Sequence, residues 1–160
     1  MEKQNSGKDL EGLLVLTVEQ AVAAPYTSCR LADAGARVIK IERPEGDFAR
    51  NYDSNALGNS AYFVWLNRGK ESISLDLKNS EDFKIFENII SKSDILIQNL
   101  APGAFDRLGL NFNELRKKHP SLITCSISGF GDEGPYKNQK ADDMLIQAET
   151  GVIDITGLPD

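Results

Sequence analysis

Apolar residues along this chain fall into two rhythms that take turns. Leu13, Leu14, Val15 and Leu16 form an unbroken apolar run, which suits a strand buried on both faces. From Gln20 to Ala36 the small apolar residues Ala21, Ala24, Cys29, Leu31, Ala32 and Ala34 give a helical stretch, with Gly35 to close it. Arg37 to Arg43 then alternates in the manner of a second strand, and Pro44 ends it. Residues 44–70 are the least regular part, a long loop with an Asn- and Gly-rich stretch from Asn51 to Asn59. Within it Ala61 to Leu66 is apolar and aromatic, and its spacing does not separate strand from helix.

The same alternation continues downstream. Ser72 to Leu77 reads as a third strand. Ser80 to Ile90 carries Phe83, Phe86, Ile89 and Ile90 at helical spacing, with Ser80 as its N-cap. Asp94 to Asn99 is a fourth strand, followed by short helices over Gly103–Leu108 and Asn113–Lys118. Leu122 to Ser128 is a fifth strand, and a loop over residues 129–140 leads to a helix from Asp142 to Thr150. The last residues, Gly157 to Asp160, have turn composition and no closing helix.

Strands alternating with helices predict an α/β fold: a Rossmann-like, three-layer, open and mainly parallel sheet with helices on both faces. A chain of 160 residues suffices for one domain with a real core and is too short for two. The start, MEKQNSGKDLEG, is polar and lacks the apolar segment of a signal peptide. Residues 1–10 are expected to be a disordered N-terminus and residues 11–160 the folded part. A domain rarely stops on an open βα alternation, so an incomplete large domain, a fragment, is expected.

Composition narrows the classes. Apolar residues make up 41% and charged residues 26%, as in a soluble globular protein. No apolar run reaches the roughly 18 residues of a membrane span. The formal net charge of −6 argues against nucleic acid or an anionic membrane as partner. Cys29 and Cys125 show no CxxC spacing and read as buried free thiols of a cytoplasmic protein. The single histidine, His119, sits at a predicted helix end, where a cation suits the helix dipole. No Ser/His or Cys/His nucleophile pattern surrounds it, and no set of His, Cys and carboxylates has metal-ligand spacing.

In open parallel sheets, ligands sit beyond the carboxyl ends of the strands. Arg43 ends the second predicted strand, Lys78 follows the third, Asn99 ends the fourth with Arg107 a turn later, and Lys140 follows the fifth. Each cation taken alone is ordinary solvated surface. Together, four cations and an amide along one edge suit the phosphates of a nucleotide. Gly129 to Gly134 formally matches GxGxxG, but Pro135 interrupts and the helix resumes only near Asp142, so no helix opens within the motif to meet a pyrophosphate. Its acidic Asp132 and Glu133 would also face the phosphates. The glycines better suit a loop lying close over a ligand or another chain.

Four segments in order carry a resemblance. AAPYTSCRLADAGARVIKIERPEGDFAR, WLNRGKESISLDLK, DILIQNLAPGAFDRLGL, and LITCSISGFGDEGPY followed by KADDMLIQAETGVIDITG together resemble the class III CoA-transferases. That family includes formyl-CoA and carnitine CoA-transferases and the 2-methylacyl-CoA racemases. The resemblance implies coenzyme A, as acyl-CoA, at the strand-end edge. Val22 and Ala23 would meet the adenine end, Arg43 the phosphates, and Leu75 and Lys78 the adenosine. Asn99 and Leu100 would line the pantetheine path, Arg107 and Leu108 would hold the nucleotide, and Lys140 would complete the phosphate set.

The chemistry implied is transfer of CoA from an acyl-CoA to a carboxylic acid acceptor. An aspartate carboxylate attacks the thioester to give a mixed anhydride, and the CoA thiolate returns to form an aspartyl-CoA thioester. Backbone amides of a glycine-rich loop stabilise the oxyanions. In the family that aspartate lies downstream of the ITG-x-x-D stretch, here Ile155 to Asp160, so no residue of this chain matches it. The nucleophile is expected after Asp160, and the chain alone is expected to be inactive. Asp143 is the candidate within the chain, read instead as the cap of its helix. Asp142 stands where the racemase branch has a catalytic histidine, which speaks against racemase chemistry. The alternatives are a racemase or epimerase of the same family and a non-catalytic CoA-binding fragment. The resemblance further implies an interlocked homodimer of the full-length protein, and this stretch alone is expected to expose apolar surface.

Overall fold

The computed structural model describes residues 7–157. Its centre is a five-stranded sheet in the order β3-β2-β1-β4-β5, with every neighbouring pair parallel. The strands are β1 (Leu14–Val18), β2 (Arg37–Glu42), β3 (Lys70–Ser74), β4 (Ile95–Gln98) and β5 (Ile123–Ser126). This is the doubly wound order, in which the direction of winding reverses between β1 and β4. The α/β, Rossmann-like expectation is borne out.

Alternation along the strands feeds two cores. Leu16 and Val18 of β1, Ile41 of β2 and Leu96 of β4 share one face with Phe86 and Ile90 of α3 (Ser80–Ile90) and Phe105 of α4 (Ala104–Arg107). Val15, Val38 and Ile97 share the other with Ala24 of α1 (Ala23–Asp33) and with Ala36. Helix α3 reaches its core through Phe86 and Ile90, four residues apart on one stripe. Helix α5 (Phe112–Lys118) ends at His119, as the spacing predicts.

Several boundaries differ from the sequence expectation for identifiable reasons. Helix α1 begins at Ala23 rather than Gln20 because residues 20–22 turn sharply, and Gly35, at φ +105°, gives the left-handed exit. Strand β3 starts at Lys70, not Ser72, in register with Val38 of β2. The ammonium of Lys70 is buried against Glu19, so a charged residue opens the strand unseen by hydropathy. Ala61 to Leu66 resolves as helix α2 (Ala61–Asn67). The Ser60 hydroxyl accepts from Phe63 N–H and Asp53 accepts from Ala61 N–H, and these caps decide the matter.

The cap of α3 is Asn79, whose Oδ1 accepts from Glu81 and Asp82 N–H, not Ser80. Asp143 does not cap its helix either. It is the first residue of α6 (Asp143–Glu149), with Asp142 at the N-cap, and its carboxylate accepts from the Gln147 amide. A short helix, α7 (Val152–Thr156), follows in a stretch for which the sequence pattern names no element.

Of the expected disordered stretch, residues 1–6 lie outside the described residues, while Leu10 N–H donates to Ala34 O and its side chain packs on the core. Cys29 is buried and Cys125 partly so, and neither is bonded to the other. Among the described residues no helix is long and apolar enough to cross a membrane.

Candidate functional site

The carboxyl ends of β1, β2 and β3 and the segment after β4 enclose a cleft of about 730 Å³. Val18, Ile41, Leu75, Leu77, Leu100 and Leu108 give it an apolar wall, and Arg43, Lys78 and Arg107 carry its positive charge. Six of the ten residues assigned to coenzyme A in the sequence therefore line one concavity: Arg43, Leu75, Lys78, Leu100, Arg107 and Leu108. Each is placed by a strand end. Arg43 follows β2 directly and its Nε–H donates to Gly46 O, closing a tight turn. Lys78 follows β3 in a turn where Asp76 Oδ1 accepts the Lys78 N–H. Arg107 ends α4, which begins a few residues after β4.

The other four are placed differently. Val22 and Ala23 stand exposed at the head of α1, outside the lining. Lys140 is exposed on the loop before α6, also outside the lining. Asn99 sits at the strand-end edge, but its amide is engaged with backbone. Oδ1 accepts from Gln20 N–H at 2.9 Å and Nδ2–H donates to Gln20 O at 2.8 Å.

Charge on the cleft wall is less one-sided than its cations alone imply, because five carboxylates share it: Glu19, Glu42, Glu45, Asp47 and Asp76. Three are buried and already matched. Glu19 holds Lys70 at 2.7 Å, Asp47 holds Lys40 at 2.7 Å, and Glu42 holds Arg50 at 2.7 Å. What remains is Arg43, Lys78 and Arg107 against Glu45 and Asp76, and among the described residues none of these three cations is ion-paired with a carboxylate. The uncompensated charge of the wall is positive, on a chain that is negative as a whole. An anion with an apolar arm fits that wall.

The buried ion network is the part that sequence reasoning missed. Lys40 and Glu42 are the charged positions of the alternating strand, yet Lys40 is only 1% exposed. In a parallel sheet covered on both faces no outward half exists, and that was the available signal. The Lys40 ammonium also lies 5.1 Å from the Phe63 ring centre, with the Arg50 guanidinium 3.8 Å from the same ring. Burial pushes the Glu42 carboxyl up, but the Arg50 fork, the Ser72 hydroxyl and the Asp47 N–H outweigh it and hold it at about 2. For Lys70 burial prevails, and its ammonium is lowered despite Glu19.

A second concavity of about 460 Å³ lies between α3 and α5, lined by no strand residue. Its cations Lys117 and Lys118 are already paired with Glu114 and Glu87, so it offers an anion little. Asp143 is exposed and away from the lining, although its charge reaches Tyr52 and helps burial raise that phenol. Among the described residues no group of three or more His, Cys, Asp or Glu side chains is arranged to hold a metal ion.

Known proteins resemble this chain in sequence and in fold. Acetyl-CoA:oxalate CoA-transferase of Acetobacter aceti is 45% identical over 151 residues, which are 94% of this chain and 39% of that protein. Succinyl-CoA:mesaconate CoA-transferase of Haloarcula hispanica is 38% identical over 162 residues, 94% of this chain and 40% of that protein. The crystal structure of a CAIB/BAIF family protein from Brucella suis superposes with a TM-score of 0.87 at 38% identity, covering 96% of this chain and 42% of that one. The chain thus spans about two fifths of the length of these relatives. The profile of CoA-transferase family III matches residues 10–160, and the chain belongs to that family.

Proposed function

We propose that this chain carries the coenzyme A site of an enzyme that moves CoA from an acyl-CoA to a free carboxylic acid. The observation that carries the reading is the trio Arg43, Lys78 and Arg107, without carboxylate partners among the described residues, around a leucine-walled cleft at the strand ends. Phosphates of CoA meet the three cations, Leu75 lies against the adenosine, Leu108 helps Arg107 hold the nucleotide, and the pantetheine arm runs along Leu100. Val22, Ala23, Asn99 and Lys140 enter this proposal on the family resemblance alone.

The acceptor is a small dicarboxylate, a reading supported by the oxalate and mesaconate in the names of the two relatives. Transfer proceeds through an aspartyl mixed anhydride and an aspartyl-CoA thioester. The nucleophilic aspartate comes from outside residues 7–157. In support, the buried carboxylates of the cleft are held by Lys70, Lys40 and Arg50, and a carboxylate so engaged is a poor nucleophile. The racemase alternative has no histidine to use in the cleft lining, since His119, the only one in the chain, lines the separate α3–α5 groove instead.

The working enzyme is a cytoplasmic homodimer. Supporting a partner, Tyr26, Trp65, Tyr62, Tyr52 and Phe48 form a chain of ring contacts 5.8–6.2 Å apart, each residue 40–51% exposed, as an unfilled interface looks.

Calorimetric titration of CoA into the purified chain tests the site. Binding is expected, weakened about tenfold or more in the Lys78→Met/Arg107→Met double variant. Absence of binding, or indifference to both substitutions, refutes the site. No acetyl-CoA:oxalate turnover is expected from this chain, and measurable turnover refutes the placement of the nucleophile.

A further inference from the structure

Ala21 adopts φ +63°, a left-handed conformation that strains a residue with a Cβ and persists only where surroundings impose it. Here the surroundings are two side chains arriving from opposite sides of β1. From β4, Asn99 engages both the N–H and the carbonyl of Gln20. From the loop after β2, Asp47 Oδ1 accepts the Ala21 N–H at 3.1 Å and the Ala49 N–H at 2.9 Å. Asp47 Oδ2 accepts from the Lys40 ammonium at 2.7 Å, and the Asp47 N–H donates to Glu42 Oε2 at 3.1 Å. Both oxygens of Asp47 are thereby occupied, and its side chain is 1% exposed.

We infer that Asn99 and Asp47 are positioning residues, a clamp that fixes the Gln20–Val22 turn and acts on coenzyme A through that turn rather than by touching it. The turn lies at the point where the winding of the sheet reverses, and it leads directly into α1. Gln20, Gly46 and Asp47 are themselves cleft wall, so the clamp ties the β1 side of the cleft to the loop that carries Arg43. The inference rests on the CoA reading above, and it reassigns Asn99 from a contact on the pantetheine path to a brace behind it.

Three measurements on the whole chain test it. Amide hydrogen exchange without ligand is expected to quicken about tenfold or more at Gln20 and Ala21 in Asn99→Ala and in Asp47→Asn. Titrations with CoA and with adenosine 3′,5′-bisphosphate are expected to show each variant weakening both ligands equally, by about tenfold. The double variant is expected to lose no more than either single one, because a turn released once has nothing further to lose. Should Asp47→Asn fail to fold, Ala21→Gly in the Asn99→Ala background serves, since glycine adopts the turn without strain and is expected to restore about threefold in affinity.

Losses that multiply to about a hundredfold in the double variant, a loss confined to CoA, or no rescue by Ala21→Gly would each overturn the clamp in favour of direct contact. If the wild-type chain binds neither ligand the CoA reading falls, and exchange at Gln20 and Ala21 alone then decides whether the clamp exists.

Discussion

Acid should cost the fold the stabilisation that ionised Glu42 contributes at the cleft wall. This carboxyl ordinarily titrates at 4.5 and is held at about 2 in the fold. Burial opposes that shift most strongly, but the paired hydrogen bonds from Arg50, the Ser72 hydroxyl and the Asp47 N–H exceed it. At about 1.4 kcal/mol for each tenfold in proton affinity, the difference corresponds to about 3 kcal/mol at neutral pH. Glu42 is buried, but the Arg50 side chain is 45% exposed, and water screening brings the figure to about 2 kcal/mol.

The sign follows from the lowered folded-state value. The stabilisation is complete above the ordinary 4.5 and is lost as pH falls from there through about 2. Urea unfolding of wild type and Glu42→Gln at pH 7 and pH 3.5 measures it. The gap between the two proteins should be about 2 kcal/mol or more at pH 7 and shrink by about 1 kcal/mol at pH 3.5. Subtracting the variant removes the other carboxylates from the comparison. A gap that stays constant over that range would show that Arg50 and Ser72 do not favour the ionised form.

Other substitutions probe neighbouring parts. Lys40→Met leaves the Asp47 carboxylate buried without a cation and should destabilise by about 3–5 kcal/mol in chemical denaturation, with Asp47→Asn in the same chain recovering part of it. Asn79→Ala removes the cap of α3 and should cost about 1 kcal/mol by thermal unfolding while leaving CoA affinity unchanged. Phe86→Ala hollows the larger core and should cost about 3–5 kcal/mol in the same assay. CoA affinity should fall severalfold between about 0.05 and 0.5 M salt, as expected of partly exposed cations, and a salt-independent titration would count against Arg43, Lys78 and Arg107 as its holders.

Strands β1 and β4 were legible because each carries a short apolar run between breakers, and the site cations because Arg43 and Lys78 come just after predicted strands and Arg107 a short helix after one. What escaped was polar and local. Lys40, Glu42 and Lys70 look like surface residues in a one-dimensional pattern, and only pairing with Asp47, Arg50 and Glu19 makes their burial tolerable. Asn79 and Ser80 are both good caps, and nothing in their order says which one turns. Asn99 was visible as an amide at a strand end. Its service to the Gln20 backbone was not, since that depends on a contact spanning 79 residues of chain.

The place of β1 in the sheet has a consequence for how the chain matures. Val15 pairs with Val38 on one side and with Ile95 on the other, so the most apolar strand waits for a partner 80 residues downstream. At ribosomal speeds of about 5–20 residues per second, one edge of it stays unpaired for roughly 4–16 s during synthesis. Pairing that distant is slow to find, and an open apolar strand is a template for the wrong neighbour. The step most vulnerable to aggregation is therefore the delivery of β4, and slower translation between Leu77 and Asp94 prolongs it.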